Sequence, residues 1–166
     1  MTWPVLLATH AFAAAVALPL GGWQLFLSNK GDHRHRLVGR TWVALMLYVS
    51  VTSFWIKELR PGEFSLIHIL SVVTIVTVTL GLVAAIRGDI QSHRGNMIGS
   101  WLGLVGAFIG AVAVPVRHIP TFVVTEPAQA FAAFVAVLVT AAAVVTAAKA
   151  IGGALPANAS QRRMAS

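Results

Sequence analysis

Five long apolar runs, joined by short linkers rich in Arg, Lys and Gly, leave this chain few folds to choose from. Trp3 to Leu27 is apolar for about 25 residues; Thr41 to Ile56 is shorter and reaches across a bilayer only if its helix begins near Val38; Phe64 to Ile86, Met97 to Val116 and Ala128 to Ile151 follow. A bilayer core about 30 Å thick takes ~20 helical residues to cross. In hydrocarbon every backbone N–H and C=O must find a partner within its own segment, which favours helices. With 57% hydrophobic and 10% charged residues and a mean hydropathy of +0.80, the chain is far from the roughly 25% charged residues of a soluble domain. The expected fold is therefore an all-α membrane protein, one integral domain over residues 1–166 with no soluble module. Nothing basic precedes the first run, which is also longer than a signal-peptide core, so it is expected to be retained as a helix.

The linkers carry a repeat. Gly31 to Trp42 reads GDHRHRLVGRTW, and Gly88 to Trp101 reads GDIQSHRGNMIGSW. Both hold Gly-Asp, then His-Arg, then Trp, and each follows an apolar run with one histidine, His10 or His68. His10 and His35 are 25 residues apart, and so are His68 and His93. Flanking motifs and apolar runs repeat in the same frame. The expectation is a four-helix bundle made of two parallel two-helix repeats, about 3–57 and about 61–117, plus a fifth transmembrane helix at about 126–151 and a short tail, 152–166. The two repeats would be related by an axis along the membrane normal. Pro61-Gly62 and Pro120 read as turns between spans.

Nine cations, Lys30, Arg34, Arg36, Arg40, Arg87, Arg94, Lys149, Arg162 and Arg163, fall on one side of these spans, against Lys57, Arg60 and Arg117 on the other. The positive-inside rule then places the N-terminus outside and the C-terminus in the cytoplasm of a bacterial inner membrane. Trp3 and Trp55 would lie in the outer aromatic belt, Trp42 and Trp101 near the inner one. A net charge of +7 would suggest nucleic acid in a soluble chain. Here the basic linkers read as topology determinants and as partners of anionic lipid headgroups.

Several chemistries are excluded. Without cysteine there are no disulfides, thiolate metal sites or cysteine nucleophiles. Five acidic residues, with no nucleophile–base pair, phosphate loop or paired carboxylates, give no basis for a hydrolase or transferase.

The histidines are the candidates that remain. A two-fold along the normal sets His10 opposite His68 near the outer face and His35 opposite His93 near the inner face, the levels about 25 Å apart. Two imidazoles on facing helices are the axial ligand set of a b-type haem. For His10 and His68 the alternatives are hydrogen bonding between helices or a proton or quinone role. For His35 and His93, placed in interfacial loops, the alternative is a solvated or headgroup-binding turn. Arg36 and Arg94 suit haem propionates as guanidinium forks, or serve as basic anchors. Asp32 and Asp89 either orient an imidazole or cap the next helix. His118, on the outer side, would add a third histidine to an open zinc or copper site. Gln24 is a polar group deep in the first span, suited to bonding across helices. Met97, in the place of Gly39, is a thioether ligand or core packing. Gly99, Gly103, Gly106 and Gly110 recur at helical spacing and predict close helix packing.

The set His10, Gly22-Trp23-Gln24, Gly31-Asp32, His35-Arg36-x-x-Gly39, His68, Gly88-Asp89 and His93-Arg94-x-x-Met97 resembles the bacterial membrane family termed domain of unknown function 2306, over roughly residues 3 to 118. That family carries no assigned reaction. The layout is also similar to the di-haem transmembrane cytochromes b that react with ascorbate or quinol, which hold four histidines on a four-helix core. That resemblance implies an outer haem on His10 and His68 and an inner haem on His35 and His93, although here the inner pair falls outside or at the very start of its helices. The function expected is a transmembrane electron carrier with one or two bis-histidine haems b, with quinol a possible donor. The alternative is a non-catalytic accessory or assembly subunit of a larger membrane complex, with structural histidines.

Overall fold

The computed structural model describes residues 3–56, 66–113 and 118–154. These form α1 (Trp3–Phe26), α2 (His33–Thr52) extended by a 3-10 turn over Ser53–Trp55, α3 (Leu66–Arg87), α4 (Ile90–Ala113), a short α5 (His118–Thr125) and α6 (Pro127–Ala154). The described residues contain no strand. Among the described residues five helices are long and apolar enough to cross a membrane: Val5–Phe26, His33–Trp55, His68–Arg87, Ile90–Ala113 and Pro127–Gly152.

Two of these begin earlier than their apolar runs suggest, at His33 and Ile90 rather than near Val38 and Met97. The cause is local. Gly31 and Gly88 take positive φ, 81° and 78°, a conformation open to glycine and costly for residues with a Cβ. The next residue in each case is the helix cap. Asp32 accepts from the His35 backbone N–H at 2.6 Å, and Asp89 from that of Ser92 at 3.0 Å. Capping is thus what these acids do, each satisfying one of the free N–H groups of a helix start. Gly88 also closes α3, since Gly88 N–H donates to Ala85 O and Asp89 N–H to Ala84 O, the paired bonds of a glycine-terminated helix. The end of α1 is closed differently: Lys30 Nζ donates to the carbonyls of Gln24 (2.7 Å), Leu25 (3.1 Å) and Ser28 (2.9 Å), a cation on the negative end of a helix dipole.

Consecutive helices pack on each other from α1 to α4, and α4 returns to α1; α6 lies against α1 and α2, and α5 against α4 and α6. The buried centre is built from Val16, Ala17 and Leu20 of α1, Val38, Trp42 and Met46 of α2, Val78 of α3 and Leu104 of α4. Hydroxyl pairs join neighbours: Thr9 with Tyr48 (2.7 Å), Ser53 with Ser71 (2.6 Å), Thr77 with Ser100 (2.8 Å). Between membrane helices such bonds contribute about 1 kcal/mol each.

Three expectations change. Trp42 and Trp101 turn inward instead of lying in a headgroup belt: their indole N–H groups donate to Ala17 O at 2.9 Å and Leu18 O at 3.0 Å. The glycine stripe of α4 makes close packing at Gly103, where a Cβ would sit 3.4 Å from Leu70 Cδ1, whereas at Gly99 and Gly106 it would meet nothing within 4 Å among the described residues. Pro120 falls in the first turn of α5, a position where its missing N–H is free of cost. Pro61-Gly62 lies outside the described residues.

Candidate functional site

At the end of the molecule where α2 and α4 begin, all four central helices contribute to one arrangement. His35 stands in the first turn of α2 and His93 in that of α4, so neither is a loop residue. Their rings are 6.4 Å apart between centroids and nearly perpendicular, at 85°. His35 Nδ1 is 2.9 Å from Gln24 Oε1 on α1, with Ser28 Oγ at 3.3 Å. Gln24 Nε2 in turn donates to His35 O at 2.7 Å, so its Oε1 is the acceptor and His35 carries its proton on Nδ1. His93 Nδ1 is 2.9 Å from Gly81 O on α3. A carbonyl only accepts, so His93 too is protonated on Nδ1.

Both rings therefore present Nε2 as the electron-pair donor. Ligating histidines adopt this tautomer when the other ring nitrogen is held by a carbonyl or carboxylate. With metal–imidazole bonds of about 2 Å on each side, two ring centroids stand about 6 Å apart, close to the separation seen. Arg36 and Arg94 follow directly and are exposed. Met97 packs its Cε against Gly81, so it serves as core.

The other pair is arranged differently. His10 Nδ1 is 2.9 Å from Thr52 Oγ1, whose hydroxyl hydrogen is committed to Tyr48 O at 2.7 Å, so His10 is the donor. His68 is buried, and its ring lies 5.9 Å from that of Phe54. His10 borders a cavity of about 70 Å³ among α1 to α4, with Ser50, Ser53, Ser71, Thr74 and Gly103 in its wall. That volume suits a few water molecules and is small beside the several hundred Å³ of pockets for organic ligands. Where His118 begins α5, its side chain is outside the described residues, and among those described no group of three or more His, Asp or Glu is placed to hold a metal ion.

The sequence pointed to Gln24 as a group bonding across helices, and the bond to His35 is that contact. It gave no sign of Gly81, because a backbone carbonyl has no residue type to mark it.

Five apolar helices with paired polar and imidazole groups between them define a multi-pass α-helical membrane protein. More specifically, the chain belongs to the family described as "Predicted membrane protein (DUF2306)", whose profile matches residues 7–146. No curated protein and no solved structure matches the chain.

Proposed function

We propose that this protein is a transmembrane b-type cytochrome in which His35 and His93 would hold the haem iron, at one end of a four-helix bundle of two parallel repeats with α6 on its flank. One observation carries the reading: two imidazoles at matching repeat positions lie 6.4 Å apart between centroids, nearly perpendicular, each with Nδ1–H given to an oxygen of the preceding helix. When bound, a haem would supply reversible one-electron chemistry at its iron. The chain's own residues do the rest. Gln24 and Gly81 fix the tautomers and orient the rings. Arg36 and Arg94 suit the propionates.

The proposal is limited to His35 and His93, the pair whose rings adjoin each other. The orientation that accompanies the reading has the His35–His93 end in the cytoplasm, in the bacterial inner membrane, with a quinol or soluble protein as electron donor.

The absorption spectrum of the purified protein tests this. A Soret band that shifts on dithionite reduction, and is lost in His35→Ala and in His93→Ala but kept in His10→Ala, is the expected result. A colourless protein overturns it. If that colourless protein also copurifies with one membrane complex, the histidines are structural and the chain is an accessory subunit.

A further inference from the structure

A cleft of about 380 Å³ runs between α1 and α6, walled by Pro19, Leu20 and Trp23 on one side and by Leu138, Ala142 and Val145 on the other, with Lys149 also in its lining. From Leu138 to Lys149 the helix rises about 16 Å. That is about half of a 30 Å hydrocarbon core, the depth of one leaflet. The cleft exists because small α6 residues face Pro19 and Leu20. Its walls are apolar except for Thr146 until Lys149, and Lys149 is exposed.

A second cation stands beside that end. One turn beyond Lys149, a Cβ at Gly152 would lie 3.3 Å from Arg34 Cγ and 3.7 Å from Arg34 Nε, so the Arg34 stem rests on the end of α6. The carboxylates near these helix ends, Asp32 and Asp89, are engaged as helix caps. Glu126 precedes α6 at its opposite end. An acyl-length groove thus leads to two cations, Lys149 in its lining and Arg34 beside the end of α6.

We infer that the α1–α6 cleft binds one anionic phospholipid of the adjoining leaflet, with the phosphate on Arg34 and Lys149 and an acyl chain between the two helices. Arg presents a fork suited to phosphate oxygens, and Lys adds a point charge. The inference does not depend on the cytochrome reading: Arg34 directly precedes His35 in α2, but the groove itself lies between α1 and α6.

The test uses the full chain in phosphatidylcholine vesicles containing a trace of spin-labelled phosphatidylglycerol or spin-labelled phosphatidylcholine. The expected result is a larger motionally restricted fraction for the anionic label. Relative affinity should fall about fivefold for each of Arg34→Gln and Lys149→Gln, and should be unchanged in Arg87→Gln. Ala142→Trp, which fills the cleft and leaves both cations, should also remove the preference. Equal restriction of the two labels overturns the proposal, as does a preference for the anionic label that survives both the double variant Arg34→Gln/Lys149→Gln and Ala142→Trp.

Discussion

Trp42 and Trp101 close on the same notch of α1. One comes from α2 and the other from α4, their indoles donate to the successive carbonyls of Ala17 and Leu18, and both rings crowd the place where a side chain on Gly21 would begin. The tryptophans that end the two repeated motifs thus lock a single helix. Their indole N–H groups find partners that hydrocarbon cannot offer.

Gly21→Ala is therefore expected to destabilise the protein by about 1–3 kcal/mol, the usual range for overpacking. Gly22→Ala is the control, since a Cβ there would stand 3.7 Å from Trp101, an ordinary contact. Thermal unfolding of the two variants in the same detergent should separate them. Equal midpoints would show that the notch yields.

Replacing Gln24 by Leu removes the acceptor for His35 Nδ1–H and the donor to His35 O. A buried pair of this kind, left half-made, costs about 1–3 kcal/mol. The His35 ring should also lose its fixed tautomer, which nitrogen-15 chemical shifts of the imidazole would report, while His93 keeps its own. An unchanged His35 spectrum would mean that Ser28, 3.3 Å away, suffices.

Asp89 gives the chain a dependence on acid. Hydrogen bonds from Ser92, first its hydroxyl and then its backbone N–H, hold this exposed carboxyl below its ordinary value of 3.8. A depressed carboxyl stabilises the fold fully above its unfolded pKa, and that contribution disappears as pH falls through the lowered folded value. Asn caps helices as well as Asp does. Asp89→Asn should therefore flatten the drop in thermal midpoint between neutral pH and about pH 3. A drop identical to that of the parent would exclude this carboxyl as its source.

The absence of cysteine makes sidedness directly measurable. Gln91 and Gln129 are exposed, at the starts of α4 and α6. If α4 begins in the cytoplasm, Gln129→Cys will react with a membrane-impermeant maleimide in intact cells, and Gln91→Cys only after permeabilisation. The reverse pattern would invert the proposed topology.

The spans were legible because hydropathy over twenty residues is a strong signal, and all five runs correspond to helices. The starts of α2 and α4 were harder to place. His33, Arg34, Arg36 and Arg94 look like loop by charge, yet Gly31-Asp32 and Gly88-Asp89 are turn and cap signals that mark the helix starts correctly. Trp42 was misplaced for another reason. A tryptophan near a span end suits a headgroup belt or a buried carbonyl equally well, and only the neighbouring helix decides. The short α5 left no mark, since eight apolar residues beside a longer run have no period of their own. Of the site, residue spacing pointed to His35 and His93 as partners, and Gln24 stood out as polar within an apolar run. The Gly81 carbonyl that steadies His93 was invisible.

His35 and His93 are each gripped by the nitrogen that keeps its hydrogen. Whatever attaches to the opposite nitrogen can arrive or leave without loosening the contacts to α1 and α3. The two rings thus take their orientation from α1 and α3 as the helices pack, with both Nε2 atoms left outside these contacts.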